Sequence, residues 1–241
     1  MRADLYLLER GVFETRTQAQ AAIAAGRVRI GGVVIAKPSQ KVQPGAEIEA
    51  QAAHPYVGRA ALKLVAGLDQ FGIDPAGRTC LDVGSSTGGF TEVLLERGAA
   101  HVFAVDVGRD QLHSKLRNDP RVTVLEGTDA RQLTTAEIAE PPELIVCDAS
   151  FIGLAKVIER PLSLAAPKAE AVLLFKPQFE VGRAYIGKGG VVKDDLAVQA
   201  SLERFRIWVG DRTDFSITGV ADSPISGGDG NREFLIAARK G

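Results

Sequence analysis

The chain is poor in the residues that staple or metallate small proteins, with two cysteines and three histidines in 241 residues. Cys80 and Cys147 each fall inside an apolar run that reads as a buried strand, so neither a disulfide framework nor a zinc site is indicated. His54, His101 and His113 show no metal-ligand spacing, and no metal is expected. No apolar run approaches the roughly 18 residues that span a bilayer. Met1-Arg2-Ala3-Asp4 lacks the apolar core of a secretion signal, so a cytoplasmic location without membrane contact is expected. A strong net charge is missing too: the total is -1. Its distribution is uneven, because the stretch up to Lys63 carries +4 and the remainder -5. Such asymmetry points to a basic module joined to a near-neutral body.

What is present centres on Asp82-Val83-Gly84-Ser85-Ser86-Thr87-Gly88-Gly89-Phe90-Thr91-Glu92. It follows the apolar Thr79-Cys80-Leu81 and opens an amphipathic stretch with Val93, Leu94 and Leu95, which predicts strand, tight turn and helix. Glycines at such a turn let backbone approach a ligand, and the helix start offers free N–H groups. The next apolar run, Val102 to Val105, ends in Asp106, placed to accept the hydroxyls of a ribose. These features predict a doubly wound Rossmann-like α/β sheet with a pocket for a nucleoside-bearing cofactor. NAD and S-adenosylmethionine both fit that description. The dinucleotide fingerprint needs a glycine where Ser86 stands, and Asp82 beneath the turn would repel a pyrophosphate but welcome an amino group. The balance favours S-adenosylmethionine.

Ahead of that unit lie two short helical patterns, one with Leu5, Leu7 and Leu8 ending at Gly11, the other from Thr17 to Ala25. Strand patterns follow at Val28-Arg29-Ile30, at Val33-Val34-Ile35 beyond a Gly31-Gly32 turn, and at Ala46 to Glu49 after Pro44-Gly45. We divide the chain into a small α+β module over 1–51, a linker over 52–58 and the larger unit over 59–241. Pro55 stiffens the linker and biases His54 toward extended backbone.

Four chemistry-bearing residues stand where a doubly wound sheet opens its crevice. Asp148 follows the strand Glu143 to Cys147, and Lys176 follows the strand Ala171 to Phe175. Glu233 begins the final strand, and Lys63 lies on a helix read as beginning at Arg59. Burial disfavours the charged form of a lysine, which suits one at a strand end to act as a base. Taken singly, each could be a solvated surface charge. The order Lys, Asp, Lys, Glu at four site-facing ends is more telling.

That order resembles the catalytic tetrad of FtsJ-like ribose 2′-O-methyltransferases. The elements Arg10-Gly11, Thr15-Arg16, Gly26-Arg27-Val28 and Lys37-Pro38 resemble the S4-type RNA-binding domain, with Thr15 where that family usually has serine and Gly31-Gly32 in place of Asn-Gly. Together with Cys147 to Ile152, Lys176-Pro177-Gln178-Phe179-Glu180-Val181-Gly182, Gly187 to Val192 and Gly230 to Glu233, the whole chain is similar to the TlyA, or hemolysin A, family. Departures are Gly58, where serine is common, and Asp129, where asparagine is common.

The resemblance implies S-adenosylmethionine-dependent 2′-O-methylation of a cytidine in ribosomal RNA. Lys63, Asp148, Lys176 and Glu233 are then the catalytic group, with Lys176 as base. Cofactor contacts are expected from Asp82, Gly84, Ser85, Ser86, Thr87, Gly88, Gly89 and Phe90, from Asp106 and Val107 at the ribose, from Asp129 and Ala130 at the adenine, and from Asp148. RNA phosphates are expected at Arg2, Arg16, Arg27, Arg29, Lys37, Lys41 and Arg59. The short ends of the chain resemble the members that act on the large subunit alone, which makes the large ribosomal subunit the expected partner. Base methylation, a membrane-active hemolysin and a non-catalytic ribosome-binding factor are the competing readings. Against carbon-5 chemistry, Cys147 precedes the strand end and should point into the sheet.

Overall fold

The computed structural model describes all residues from Met1 to Gly241. They form two compact units, Met1–Pro55 and Tyr56–Gly241. In the first, α1 (Ala3–Glu9) and α2 (Arg16–Ala24) pack on an antiparallel sheet ordered β2-β1-β3, made of β1 (Val28–Ile30), β2 (Val33–Val34) and β3 (Ile48–Ala50). The α2 start shows why threonine serves at position 15: its hydroxyl accepts from Gln18 N at 3.2 Å while the Gln18 side chain accepts from Thr15 N at 3.1 Å. The core of this unit gathers Tyr6, Leu7, Ile23, Val28 and Ile35. The third strand begins two residues later than the sequence pattern suggested, because Gly45 N donates to the Tyr6 hydroxyl and Ala46 O accepts from it, holding that stretch as a turn.

The second unit holds a seven-stranded sheet ordered β6-β5-β4-β7-β8-β10-β9. Its strands are β4 (Thr79–Val83), β5 (His101–Asp106), β6 (Val122–Glu126), β7 (Leu144–Cys147), β8 (Glu170–Phe175), β9 (Phe215–Asp222) and β10 (Phe234–Lys240). Strands β4 to β8 pair in parallel, and β10 is antiparallel to both β8 and β9. The parallel centre is apolar on both faces because helices cover both. One face packs Cys80, Val102, Val146, Val172 and Leu174 against α3 (Ala61–Phe71) and α4 (Gly89–Glu96). Alternate residues Leu81, Val105, Ile145, Leu173 and Phe175 face α6 (Leu154–Ser163) and α7 (Asp195–Arg212). A short α5 (Ser114–Arg117) lies between β5 and β6. No helix is long and apolar enough to cross a membrane.

Helix α3 begins at Ala61, two residues beyond the expected Arg59, which stands in the turn before it. Its position over the sheet is set by Gly67: a Cβ there would lie 2.9 Å from Val172 Cγ1. This close approach carries Lys63, one turn earlier, to the sheet's opening edge. Gly67→Val should therefore lower stability by about 1–3 kcal/mol through overpacking. It should also reduce activity more than it reduces cofactor affinity, as read by urea unfolding and a methyl-transfer assay.

Candidate active site

The loop after β4 is built for close backbone contact. Gly84 has φ +81, and a Cβ there would stand 2.9 Å from Ala149 N and Cα in the loop after β7. Gly84 N and Ser85 N both donate to Val105 O, and Ser86 N donates to Asp106 Oδ2 at 2.9 Å. Asp106 Oδ1 accepts from Gly108 N at 2.7 Å, so both carboxylate oxygens are held in place at the end of β5.

Two cavities open along the carboxyl edge of the parallel strands. The first, of about 580 Å³, is lined by Gly84, Ser86, Asp106, Val107, Gln111, Asp129, Ala130 and Asp148, among others. The second, of about 490 Å³, is lined by Arg59, Lys63, Ser85, Thr87, Gly89, Phe90, Lys176 and Glu233. Gly84, Ser86, Asp148, Ser150 and Phe151 line both. A ligand in one cavity is therefore within reach of groups in the other.

The four candidate catalytic side chains converge at this shared rim. Lys176 Nζ pairs with Asp148 Oδ1 at 2.6 Å, and Lys63 Nζ with Glu233 Oε2 at 2.6 Å. Lys63 Nζ also stands 4.0 Å from Asp148 Oδ2, which joins the two pairs into one cluster. Lys63, Lys176 and Glu233 are buried, and Asp148 nearly so. Lys176 Nζ donates further to Asp148 O at 3.0 Å and Ser150 Oγ at 2.7 Å. Four ordinary structural devices bring these residues together: the end of β7, the end of β8, the start of β10 and the first turn of α3.

Other expected residues are distributed differently. Asp82 and Gly88 line neither cavity. Gly88 faces α5, where a Cβ would lie 2.2 Å from Leu116 Cδ1. Thr87, Gly89 and Phe90 line only the second cavity, apart from Asp106. Asp129 lines the first cavity, but its carboxylate pairs with Arg131 at 2.6 Å. The guanidinium holds that carboxyl below its ordinary value.

In the N-terminal unit, Arg2 and Arg16 converge on the fully buried Asp4, at 2.9 and 2.8 Å, and each remains about half exposed. Arg27 donates to Ala52 O and Arg29 to Gly32 O. Lys37 and Lys41 flank the turn at Pro38 and Ser39, and Lys41 forms an isolated antiparallel bridge with Arg2. Arg59 belongs to the second unit, donates to Ser226 O and lines the second cavity.

Sequence reasoning passed over Ser150, Gln111, Phe151 and Phe179. Ser150 lies two residues beyond Asp148, within a stretch already singled out. Phe151 gave a weaker signal, being an aromatic after a strand end. It is 91% exposed, adopts φ +66 and lies with its ring centroid 5.5 Å from that of Phe179. An exposed aromatic held in strained backbone beside the candidate cluster is a feature of sites rather than of cores.

Asp82 is 0% exposed, its Oδ2 accepting from the Thr91 hydroxyl at 2.7 Å while Oδ1 has no partner. Burial pushes its carboxyl up to about 7, against the Thr91 hydrogen bond and helped by Asp148 and Asp106. A carboxyl raised in the fold binds its proton more tightly there than in the unfolded chain, so stability falls as pH rises between the ordinary Asp value and about 7. Asp82→Asn should remove that fall. The melting temperature of the variant should change less than that of the parent between pH 5 and pH 8, as followed by calorimetry.

The profile of the FtsJ-like methyltransferase family matches residues 56–240, and that of the S4 domain matches residues 1–48. The 16S/23S rRNA (cytidine-2′-O)-methyltransferase TlyA of Mycobacterium tuberculosis is 46% identical over 241 residues, covering 99% of this chain and 89% of that protein. The 23S rRNA (cytidine-2′-O)-methyltransferase TlyA of Campylobacter jejuni is 42% identical over 181 residues, covering 75% and 69%. Among solved structures, a protein from Streptococcus thermophilus described as a hemolysin superposes with a TM-score of 0.79 at 37% identity, covering 100% of this chain and 88% of that one. A sheet with this strand order, the Lys-Asp-Lys-Glu cluster at its rim and full-length identity at this level place the chain in the TlyA family, FtsJ-like methyltransferases that carry an S4 domain.

Proposed function

We propose that this enzyme transfers a methyl group from S-adenosylmethionine to the ribose 2′-hydroxyl of a cytidine in ribosomal RNA, with large-subunit RNA as its substrate. The observation that carries the reading is the buried two-lysine, two-carboxylate cluster in the second cavity, whose Asp148 also lines the first. The names of both relatives include the 23S molecule, which favours the large subunit.

The first cavity suits a nucleoside with an amino-acid tail. Asp106 offers both carboxylate oxygens to ribose hydroxyls, and its volume is that of a small-molecule site. No Lys or Arg other than the paired Arg131 lines it, so it offers little to a pyrophosphate. Gly84, Ser86 and Asp148, which line both cavities, would hold the methionine end, with Ser85 on the side of the second cavity and Asp129 and Ala130 beside the base. Asp82, expected from the sequence at the amino group, lies buried beneath the turn and lines neither cavity, so it supports the loop through Thr91 rather than touching the ligand. S-adenosylmethionine, when bound, supplies an electrophilic methyl group.

Lys176 Nζ is placed to take the proton of the 2′-hydroxyl that would accept this methyl group, the methyl–sulfur bond breaking to leave S-adenosylhomocysteine. Asp148 and Ser150 fix the position of Nζ, so the acceptor oxygen meets it in a set geometry. Lys63 lies 4.0 Å from the same Asp148 carboxylate, so the carboxylate keeps a cationic neighbour when Nζ is uncharged. Glu233 holds Lys63 in turn. Phe151, exposed and seated on Phe179, presents a face on which a splayed base can stack. In the S4 domain, Asp4 sets two guanidiniums side by side for phosphate, with Arg27, Arg29, Lys37 and Lys41 as further contacts. Carbon-5 base methylation is disfavoured, because Cys147 is fully buried and its burial pushes the thiol up to about 12.

Lys176→Ala tests the assignment. Turnover should fall by a factor on the order of 10² to 10⁴, the usual weight of a general base. Cofactor affinity by calorimetry should stay within about threefold, since Lys176 does not line the first cavity. A variant retaining most of its turnover contradicts the assignment.

A further inference from the structure

The sequence stretch Gly187-Lys188-Gly189-Gly190-Val191-Val192 has no part in the mechanism above, yet the fold holds its surroundings with care. Residues 182–193 leave the end of β8 as an exposed arm, turned back on itself by an Ile186–Val192 bridge and a Gly187 N to Val191 O bond of 2.9 Å. The arm is tied down by Asn231, 1% exposed, whose Oδ1 accepts from Val192 N at 2.9 Å and whose Nδ2 donates to Gly190 O at 2.9 Å. Both amide groups of a buried side chain are thus spent on the backbone of one surface segment.

One root of the arm, and the loop that holds it, border the second cavity. Gln178 and Phe179, just before it, line that cavity, as do Gly228 and Asp229 in the loop that Asn231 closes. Asn231 itself stands two residues before Glu233. Within residues 182–193 there are three cations, Arg183, Lys188 and Lys193, and no acid. All three are exposed and none takes part in an ion pair or side-chain hydrogen bond. Elsewhere in this unit, Arg131 and Arg232 are neutralised by Asp129 and Asp222. Beyond the arm, Asp194 caps α7 through Ala197 N at 2.9 Å, and Asp195 follows it in the first turn of that helix. Tyr185, 49% exposed, adds an aromatic face among the cations.

We infer that this arm is a second RNA-holding surface, which grips the phosphates of the strand flanking the target nucleotide at the mouth of the catalytic cavity. The inference rests on the proposed RNA substrate and extends it beyond the S4 domain. A fixed arm with three cations free of ion pairs, beside a candidate active site, matches a polyanion whose sequence it need not read. Asn231 acts as a positioning residue: it holds the arm at a set distance from Glu233, so that a strand seated on the arm is in register with the cluster.

The test is the triple variant Arg183→Ala, Lys188→Ala, Lys193→Ala, assayed on large ribosomal subunits lacking the modification and, separately, on their protein-free RNA. KM for both substrates should rise about tenfold or more, and the log–log salt dependence should become shallower by about 2. Cofactor affinity and kcat at saturating RNA should be unchanged. Exchanging the same positions as Arg183→Lys, Lys188→Arg and Lys193→Arg should keep KM at the parental value. Unchanged KM and salt slope overturn the inference, and so does a loss confined to intact subunits, which would assign the arm to a ribosomal protein. If the parent enzyme makes no 2′-O-methyl product, the functional reading fails on its own account. The arm is then judged by fluorescence anisotropy on labelled ribosomal RNA, where equal binding by parent and triple variant refutes it.

Discussion

Burying two lysines and two carboxylates at one sheet edge is the constraint on which the rest of the second unit depends. Isolated, each charge would cost several kcal/mol to remove from water. Paired as Lys176–Asp148 and Lys63–Glu233, and bridged between Lys63 and Asp148, they are mutually compensated. The compensation needs four chain segments placed to within about an ångström. The parallel strands β7 and β8 end side by side with Cys147 opposite Leu173, so Lys176, two residues beyond the level of Asp148, pairs with its carboxylate, and β10 delivers Glu233 beside the end of β8 because Phe234 pairs with Phe175. Helix α3 delivers Lys63, held down through Gly67. Removing any one member leaves an uncompensated charge, so the cluster is as much a demand on the fold as a product of it.

Much of this was legible in the sequence because it rests on short-range rules. The strand–turn–helix at Asp82 to Glu92 and the apolar runs of the central strands are set by local chemistry, and the structure has them. The residues after β7 and β8 were identifiable because a doubly wound sheet opens its crevice there. The partnership of Lys63 with Glu233 spans 170 positions, and no periodicity announces it; only the family resemblance suggested that they belong together.

What escaped was decided by three-dimensional neighbours. Gly88 reads like a ligand-facing glycine but accommodates α5 instead, because Leu112 and Leu116 come back over it. Asp129 is drawn to Arg131, two residues on, and the strand-end pattern cannot weigh that local competition. Ser150 becomes a partner of Lys176 only because the loop after β7 turns toward β8. Phe151 depends on a strained backbone angle that side-chain type does not foretell. The limits of the third strand moved for a similar reason, since Tyr6, on a different element, captures residues 45 and 46.

The central claim is that the buried cluster directs a methyl group to a ribose oxygen and to no base atom. The most direct measurement is nucleoside mass spectrometry after incubating the enzyme with isotopically labelled S-adenosylmethionine and unmodified large and small ribosomal subunits, kept separate. The account predicts label in 2′-O-methylcytidine from the large subunit. Label on a nucleobase, or none in either subunit, contradicts it.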